Sequence, residues 1–511
     1  MKKGENVRPS LLFIIHHSEF IGFFSWCARA SDGEMKTGVA IDGGKRLKQV
    51  SSELGVGRFT FTAAAVVLLV LLAMGAKLAS TAAPTIELAQ RPKGIGRNTL
   101  VEFKVRDPKH RIKSVQVEVS QNGRTFNVPV QLGEVRTPGR HWWQRHPESV
   151  VGVGVFVGRK QIPDLQEGRA TVHIAATNDS WGRFFRGGRT DVAFDLPVRF
   201  SPPMVEVLTP QHYINQGGSE LVIFNVSPGT VDSGVQAGNY FFPSWPAKES
   251  EPLTRLGLFA LPYDLDPTTP IRIVARDDAG NETVTNFNYK VFPKKFHTDT
   301  INLTDEFMQR VVPPIMSQMP DLDDQGSLLK NFLMINGHLR QVEAQQLIEY
   351  SKRSSPKFLW TQPFIQLGDT KVEAHFADYR TYVYNGQVVD HQTHLGFDLA
   401  GLTHMPVKAA NDGVVVFAQF FGIYGNAVLI DHGCGLMTLY GHMSSLAVKP
   451  GDSVKRGQQI GVSGETGLAG GDHLHFTVLL DGIPVTPVEW WDPHWIHDRI
   501  EAKETELGIG G

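Results

Sequence analysis

The stretch 426-NAVLIDHGCGLMTLYGH-442 decides the fold, because it contains two short apolar strands joined by a glycine turn. Asn426-Ala-Val-Leu-Ile430 is the first strand, and Gly435-Leu-Met-Thr-Leu-Tyr440 is the second. A third short apolar run, Gly413-Val-Val-Val-Phe417, precedes these two strands. The repeated spacing of strands and turns predicts a compact antiparallel sheet in a C-terminal domain at residues 356–490.

Four histidines and one carboxylate fall within this domain, in the motifs His394-Leu-Gly-Phe-Asp398, Tyr440-Gly-His442 and His473-Leu-His475. Residues two or four apart on a strand point to the same face, so His473 and His475 project together and His394 and Asp398 can converge. Catalytic zinc usually has three protein ligands and one open position. Two histidines and the aspartate meet that count, and two further histidines suit proton transfer near neutral pH. The pattern predicts a metallohydrolase.

The segment from about residue 376 to 488 resembles the catalytic domain of the LytM/lysostaphin-type zinc metallopeptidases, peptidase family M23, of bacterial cell walls. The resemblance covers about a fifth of the chain. The matching motifs are His394-Leu-Gly-Phe-Asp398, Tyr424-Gly-Asn-Ala-Val-Leu-Ile-Asp-His-Gly433, Leu439-Tyr-Gly-His442, Gly451-Asp-Ser-Val-Lys-Arg-Gly457, Gly464-Glu-Thr-Gly467 and His473-Leu-His-Phe476. This resemblance implies Zn²⁺ as cofactor. Its metal ligands would be His394, Asp398 and His475, and its catalytic residues would be His442 and His473.

The resemblance implies an endopeptidase that hydrolyses the peptide cross-links of peptidoglycan. Two kinds of bond fit it, one between D-alanine and a diamino acid and one within a glycine-rich bridge. The alternative is a non-catalytic regulator of the same fold that binds and activates a separate cell-wall amidase. Regulators of this type typically lack metal ligands, whereas all five site positions are filled here, so we favour the enzyme.

One position departs from the family pattern. Asp472 stands where the family usually has proline before the His-x-His motif, and we expect its carboxylate either to bond a histidine ring or to lie in a turn. Tyr382 and Tyr384 are secondary candidates for holding the substrate carbonyl. Three other histidines near the motifs are expected in turns or at the rim of the site: His391, His404 and His432.

Residues 59–76 (FTFTAAAVVLLVLLAMGA) form an uncharged apolar run. As a helix the run would be about 27 Å long, just enough to cross a bilayer. Basic residues precede it, among them Lys48 and Arg58, so residues 1–58 are expected to form a poorly ordered cytoplasmic tail. These features predict one transmembrane helix in the inner membrane and a periplasmic catalytic domain. A cleaved signal peptide is the alternative, but the run exceeds the usual ~7–15-residue signal core.

Between the apolar run and the catalytic domain, the sequence predicts two β modules. The length of 511 residues suggests three or four domains, and 51 glycines and 30 prolines favour a mainly β chain. Alternation at Val115, Val117 and Val119 indicates a β-sandwich-like module at 84–200, and an immunoglobulin-like β module follows at 203–293. A stalk is the simpler interpretation of these modules. The alternative to a stalk is a binding role, because the aromatic and basic residues at 181–186 could contact a glycan chain or a cell-wall or division protein.

Residues 294–355 are expected to form a helical linker or a lid over the catalytic cleft. Thr304 is predicted to cap a first helix that Pro313-Pro314 ends, and a second helix from Ser327 is expected to break at Asn336-Gly337. Residues 491–511 are read as a C-terminal tail. The net charge of −2 gives no reason to expect a nucleic-acid partner.

Overall fold

The computed structural model of the protein describes residues 66–72, 75, 83–108, 110–130, 149–180 and 187–509, and these are mainly β, as predicted. Residues 66–72 and 75 are helical. The rest of the predicted membrane segment, the tail 1–58 and the stretch 181–186 lie outside the described residues. Across the described ranges, no helix combines the length and apolar character needed to span a membrane. All elements below belong to the compact unit that runs from Met74 to Gly511.

The first module consists of two antiparallel sheets, with strand orders β1-β2-β5 and β4-β3-β6-β7, that share one hydrophobic core. Alternate residues of β2 are buried, among them Val101, Phe103 and Val105, as the two-residue period of a strand requires. Its strands are β1 (Thr85–Leu88), β2 (Thr99–Asp107), β3 (Ile112–Gln121), β4 (Arg124–Val128), β5 (Ser149–Val157), β6 (Gly168–Asn178) and β7 (Arg189–Val198).

The second module also consists of sheets, with orders β13-β14-β10-β8, β12-β11-β15-β16 and β17-β9. Its core is continuous with that of the catalytic domain. Its strands are β8 (Val205–Val207), β9 (His212–Asn215), β10 (Ser219–Val226), β11 (Thr230–Ala237), β12 (Tyr240–Pro243), β13 (Trp245–Lys248), β14 (Glu251–Ala260), β15 (Ile271–Asp277), β16 (Glu282–Thr285) and β17 (Tyr289–Phe292).

Strand β18 (Thr298–Leu303) leads into the helical segment, residues 305–351. Thr304 caps its first helix, as predicted, because its hydroxyl accepts a hydrogen bond from the Phe307 amide. This segment consists of α1 (Asp305–Gln318), α2 (Leu328–Met334), a π-helical turn (Ile335–Leu339) and α3 (Arg340–Ser351).

Two predicted breaks in this segment are wrong. Helix α1 continues through Pro313 and Pro314, because Val312 and Ile315 on either side of them are buried in the core beneath it. The chain also stays helical at Asn336-Gly337, where it widens into the π-helical turn instead of breaking. Tertiary packing therefore overrides the local preference of proline and glycine at both positions.

The catalytic domain contains one large sheet of order β19-β22-β30-β26-β25-β24-β28, with β31 paired to β30. A hairpin of β20 and β21 pairs with β18, and a small sheet has the order β23-β29-β27. The strands are β19 (Lys371–Ala374), β20 (Asp378–Tyr384), β21 (Gln387–His394), β22 (Phe397–Ala400), β23 (Pro406–Lys408), β24 (Gly413–Phe420), β25 (Asn426–Gly433), β26 (Leu436–Met443), β27 (Ser445–Leu446), β28 (Ser453–Val454), β29 (Gln459–Val462), β30 (Leu474–Leu480) and β31 (Ile483–Val485).

Both faces of the large sheet are covered, which explains why its central strands are continuous apolar runs. Val428 and Ile430 of β25 face the core shared with the second module, whereas Leu429 faces the core beneath the helical segment. On β30, Leu479 also belongs to the core on the helical side. His475 has the same parity as Leu479, so its side chain points to the face that the helical segment covers.

The chain after the sheet packs against the second module. Glu489 accepts hydrogen bonds from Asn215 Nδ2 and from the Ser219 amide at 2.8 and 2.7 Å. Lys503 and Glu220 form a buried ion pair at 2.7 Å. Residues 487–506 therefore join the second module to the catalytic domain through buried polar contacts. This part of the chain comprises α4 (Pro487–Trp491), α5 (Pro493–Ile496), a π-helical turn (His497–Glu501) and α6 (Ala502–Glu506).

Replacing Lys503 with Met should destabilise the protein, because it removes the closer of the two cations that pair with the Glu220 carboxylate, which is 0% exposed; the other cation, Arg499, lies 3.9 Å away. We expect a loss of about 3 kcal/mol in the free energy of unfolding, measured by urea denaturation. Lys352→Met is the matched control, because Lys352 forms an exposed ion pair with Glu349 and its loss should cost at most about 0.5 kcal/mol. Equal losses in the two variants would contradict the role of the buried pair.

Candidate metal centre

Strand pairing brings the central residues of the site together. β22 and β30 pair antiparallel with Asp398 opposite His475, and β30 pairs with β26 with His475 opposite Gly441. Directly paired residues have Cβ atoms about 4.5–5.5 Å apart. His442 follows Gly441, and His394 ends β21 just before β22 begins. The register therefore gathers side chains from three strands of the large sheet and from β21 of the neighbouring hairpin.

His394, Asp398 and His475 form a cluster whose three nearest donor atoms lie within 4.8 Å of one another. Nε2 of His394 lies 3.0 Å from Oδ1 of Asp398 and 3.0 Å from Nδ1 of His475. Nδ1 of His475 is also 3.0 Å from Oδ1 of Asp398. Both histidines are 5% exposed, so the cluster is shielded from bulk water.

Hydrogen bonds fix which ring nitrogen of each histidine faces the cluster. Nδ1 of His394 donates to the carbonyl oxygen of His375 at 3.0 Å, which leaves Nε2 as the inward lone pair. The Thr477 hydroxyl donates to the carbonyl oxygen of Leu395, so it accepts from Nε2 of His475 at 2.9 Å. Nδ1 of His475 therefore also points inward as a lone pair. With the carboxylate, the cluster presents three acceptors to one point, and only a proton or a metal cation can relieve their repulsion.

The two remaining histidines are held in the same way. Nδ1 of His442 donates to the Thr466 carbonyl oxygen at 2.7 Å, and Nδ1 of His473 donates to the Gly471 carbonyl oxygen at 2.8 Å. Nε2 of each ring is therefore free to accept a proton. Nε2 of His473 is 3.4 Å from Oδ1 of Asp398, and the two imidazole rings lie 4.7 Å apart between centroids. All five predicted site residues thus meet in one place.

Burial and mutual charge set the pKa values of the cluster. Burial opposes ionisation of Asp398, but the neighbouring histidines outweigh it and hold its pKa well below the usual value. Burial lowers the pKa of His475 to about 4, and burial with the charges of His473 and His475 holds the pKa of His442 well below its usual value. Burial also opposes protonation of His473, but hydrogen bonding and attraction to Asp398 raise its pKa. At neutral pH, Asp398 is therefore anionic and His475 neutral, the forms that bind metal.

Two backbone positions allow the close packing of the rings. A Cβ atom on Gly396 would lie 2.6 Å from the His475 ring and from the Thr477 hydroxyl, so only glycine fits between His394 and Asp398. His442 has φ of +62°, a left-handed conformation that costs a non-glycine residue about 1–3 kcal/mol. Strain of this kind is typical of functional sites, and here it accompanies a register shift between β25 and β26.

Three polar residues that support the site were not singled out from the sequence. Arg380 Nη2 donates to the outer oxygen of Asp398, Oδ2, at 3.2 Å. Thr477 fixes the ring of His475, and its position two residues along the same strand was a usable signal. Tyr424 packs against the His475 ring with centroids 5.4 Å apart.

Asp472 does not contact a histidine of the cluster. Its Oδ1 accepts from the Ser463 hydroxyl at 2.5 Å, and its Oδ2 accepts from the His404 backbone amide at 3.0 Å. The His404 ring lies 3.3 Å from the same carboxylate. Asp472 therefore ties the loop after β22 to the segment that contains His473, just before β30.

The other candidates lie in three different environments. Tyr382 lines the cavity described below, whereas the Tyr384 hydroxyl donates to Asp305 at 2.7 Å and does not line it. His391 and His404 are exposed, as expected for positions outside the site. His432 was expected in a turn or at the rim, but it is buried in β25, where it bonds the Thr438 hydroxyl at 2.7 Å.

The cluster lies in a cavity of about 460 Å³, which is large enough for a peptide segment. The helical segment forms one wall, through Phe307, Phe332, Asn336 and Arg340. Nη2 of Arg310 fastens this wall to the loop before His473 by donating to the Gly470 carbonyl oxygen at 2.9 Å. The helical segment is therefore part of the cavity that contains the histidines.

Comparison with known proteins identifies the domain. Residues 392–487 match peptidase family M23. DD-carboxypeptidase/endopeptidase Mpg of Neisseria meningitidis is 44% identical over 95 residues, which cover 19% of this chain and 22% of Mpg. Peptidoglycan DD-endopeptidase ShyA of Vibrio cholerae is 38% identical over 119 residues, which cover 23% of this chain and 27% of ShyA. The chain thus spans about a quarter of the length of these curated relatives.

Among solved structures, the catalytic domain of the antimicrobial peptidase lysostaphin from Staphylococcus simulans is 27% identical. The match covers 29% of this chain and 96% of that chain, with a TM-score of 0.19.

Replacing Thr477 with Val should weaken metal binding, because the Nε2–H group of His475 loses its acceptor and the inward lone pair is no longer fixed. We expect the affinity for Zn²⁺ to fall about 10- to 100-fold, as measured by competition with a chromophoric chelator. Thr477→Ser keeps the hydroxyl and should bind Zn²⁺ as the wild type does. Wild-type affinity in Thr477→Val would show that the hydroxyl does not set the ring orientation.

Proposed function

We propose that this chain, which carries a peptidase family M23 domain at residues 392–487, is a zinc metalloendopeptidase that cleaves the peptide cross-links of peptidoglycan. The observation that carries this proposal is the convergence of His394, Asp398 and His475 on one point, beside His442 and His473. Of the two kinds of bond considered above, relatives named peptidoglycan DD-endopeptidases favour the bond between two D-configured centres and not a bond within a glycine-rich bridge.

The donor set fits zinc. Tetrahedral zinc binds imidazole nitrogen and carboxylate oxygen at about 2.0–2.2 Å, so its ligand atoms lie about 3.3 Å apart. The three atoms of His394, Asp398 and His475 are separated by 3.0 Å each, and no lysine or arginine lies between them. We assign these residues as the metal ligands. A zinc ion bound there would supply Lewis acidity that polarises the peptide carbonyl and acidifies a water molecule.

His442 and His473 are assigned as the catalytic residues. In each ring a backbone carbonyl fixes Nδ1, so Nε2 is the nitrogen that can transfer a proton. Nε2 of His442 takes a proton from the attacking water, whose oxygen bonds to the carbonyl carbon. Nε2 of His473 donates a hydrogen bond to the developing oxyanion and then a proton to the amine that leaves as the C–N bond breaks. Asp398 stabilises the protonated form of His473.

The alternative function is a regulator that binds and activates a cell-wall amidase. The five site residues are all present. In each histidine, one ring nitrogen is held by a hydrogen bond, which orients the other nitrogen toward the centre of the site. A purely binding role does not need this arrangement. These features favour the enzyme.

His475→Ala should abolish zinc retention and cleavage together, because it removes one of three ligands. His442→Ala should retain zinc and lose at least about 100-fold in kcat, because only proton transfer is removed. Zinc content by elemental analysis and muropeptide digestion followed by mass spectrometry provide the two readouts. His391→Ala, on the same β21 strand as His394, is the control and should behave as wild type. Full activity of His442→Ala would overturn its assignment as the base, and wild-type protein without stoichiometric zinc would favour the regulator.

We further propose that residues 59–76 anchor the protein in the inner membrane, with the catalytic domain in the periplasm. The uncharged run and the preceding basic residues support this topology. The peptidoglycan substrate is consistent with that location. The two β modules would then lie between the membrane and the catalytic domain along the chain, where they are candidates for contacts with cell-wall or division proteins.

Deleting residues 59–76 should move the protein from the membrane fraction to the soluble fraction, as followed by fractionation and immunoblotting. Intact-mass spectrometry of the wild-type protein from the membrane fraction distinguishes an anchor from a signal peptide. Retention of the residues before position 84 is expected for an anchor. A mature chain that starts near that position would show that the segment is cleaved.

A further inference from the structure

Two arginines line the cavity that contains the histidine cluster, Arg340 from the helical segment and Arg380 from β20. Arg380 is paired with Asp398 at 3.2 Å, so its charge already has a partner. Arg340 forms no ion pair within the described part of the chain, although it is half-buried. A partly buried guanidinium in a cavity, without a carboxylate, is costly unless it serves a ligand.

Arg340 is held in a fixed orientation. Its Nε and Nη2 atoms donate to the backbone and side-chain oxygens of Asn336 at 3.1 and 2.8 Å. Asn336 is fully buried, and its Nδ2 donates in turn to Asp390 on β21 at 2.8 Å. The π-helical turn that contains Asn336 makes this contact, and such turns are frequent at functional sites. Only two of the five N–H donors of the guanidinium are used, so the others can bind a ligand.

The nearby acidic residue does not neutralise Arg340. Glu343 lies one helical turn further along and is 1% exposed, and its Oε1 accepts from the Ile423 amide at 3.1 Å. Burial raises the pKa of Glu343 to about 8, so this carboxyl is uncharged at neutral pH. The charge of Arg340 is therefore free to act on the cavity.

The cavity has an uneven charge distribution. Its acidic residues other than Asp398 are Glu373 and Asp472, and both lie near the histidine cluster: Asp472 precedes His473 in sequence, and Glu373 precedes Ala374, which pairs with Asp398. Arg340 lies in the helical wall of the same cavity, so a substrate carboxylate held away from these acidic side chains would be attracted to it.

We propose that Arg340 binds a free carboxylate of the peptide substrate next to the scissile bond and thereby selects substrates that carry one. This inference rests on the proposed peptidase function. Guanidinium and carboxylate form two parallel hydrogen bonds, and a partly buried, immobilised guanidinium loses little entropy in forming them. Arg340 is thus a specificity-determining residue supplied by the helical segment, outside the sequence that matches the peptidase family.

The test compares two cross-linked peptides with the same scissile bond. In one, the carboxylate on the residue that supplies the leaving amine is free, and in the other it is an amide. We expect the wild-type protein to show a kcat/KM at least about 10-fold higher for the free carboxylate, mainly through KM. In Arg340→Met this ratio should fall to near one. Arg353→Met, an exposed arginine in the turn just after α3, is the matched control and should keep the wild-type ratio.

Each result separates the inference from the proposed function. Hydrolysis of neither peptide by the wild-type protein overturns the peptidase proposal and this inference with it. Equal hydrolysis of both peptides by the wild type overturns the role of Arg340 and leaves the peptidase intact. If folded Arg340→Met keeps the wild-type preference for the free carboxylate, the role of Arg340 is likewise overturned and the peptidase proposal is unaffected. A wild-type ratio near one overturns the inference even if Arg340→Met does not fold.

Discussion

Mutual repulsion of three inward-facing acceptor atoms is the constraint on which this site depends. The atoms belong to His394, Asp398 and His475 and are 3.0 Å apart, so they cannot stay together without a cation or a proton among them. The protein holds them there with bonds directed away from the centre, to the His375 carbonyl oxygen, the Thr477 hydroxyl and Arg380. A bound metal ion would remove this repulsion, so metal binding should increase the free energy of unfolding of the sheet.

The sheet can hold such a cluster because neither of its faces is free to relax. One face packs against the second module and the other against the helical segment, so the strands that carry His442 and His475 are buried along their length. The covered face also explains the shape of the cavity. Its floor is the end of the sheet, and its wall is helical, so residues far apart in sequence act on the same bound peptide.

Sequence patterns predicted the elements that depend on local periodicity. The short apolar runs in 426–442 and the His-x-His motif predicted strands and the facing of their side chains, and the family resemblance supplied the roles of the five site residues, which do meet. Features that depend on tertiary packing were not predictable. Pro313 and Pro314 stay helical because buried neighbours hold the last turns of α1. Arg380 and Arg340 become visible only when the hairpin and the helices are packed on the sheet, since neither belongs to a motif with a fixed spacing from the histidines.

The continuous core between the second module and the catalytic domain has a consequence for modular evolution. Glu489, Lys503 and Trp490 of the catalytic part are all bonded to residues 215–221 of the module, so a boundary drawn between the two would expose apolar surface and unpaired charge on both sides. Recombination that exchanges the peptidase domain alone would be selected against. The two parts should instead be inherited as one cassette, with new architectures arising by changes on the N-terminal side of that module.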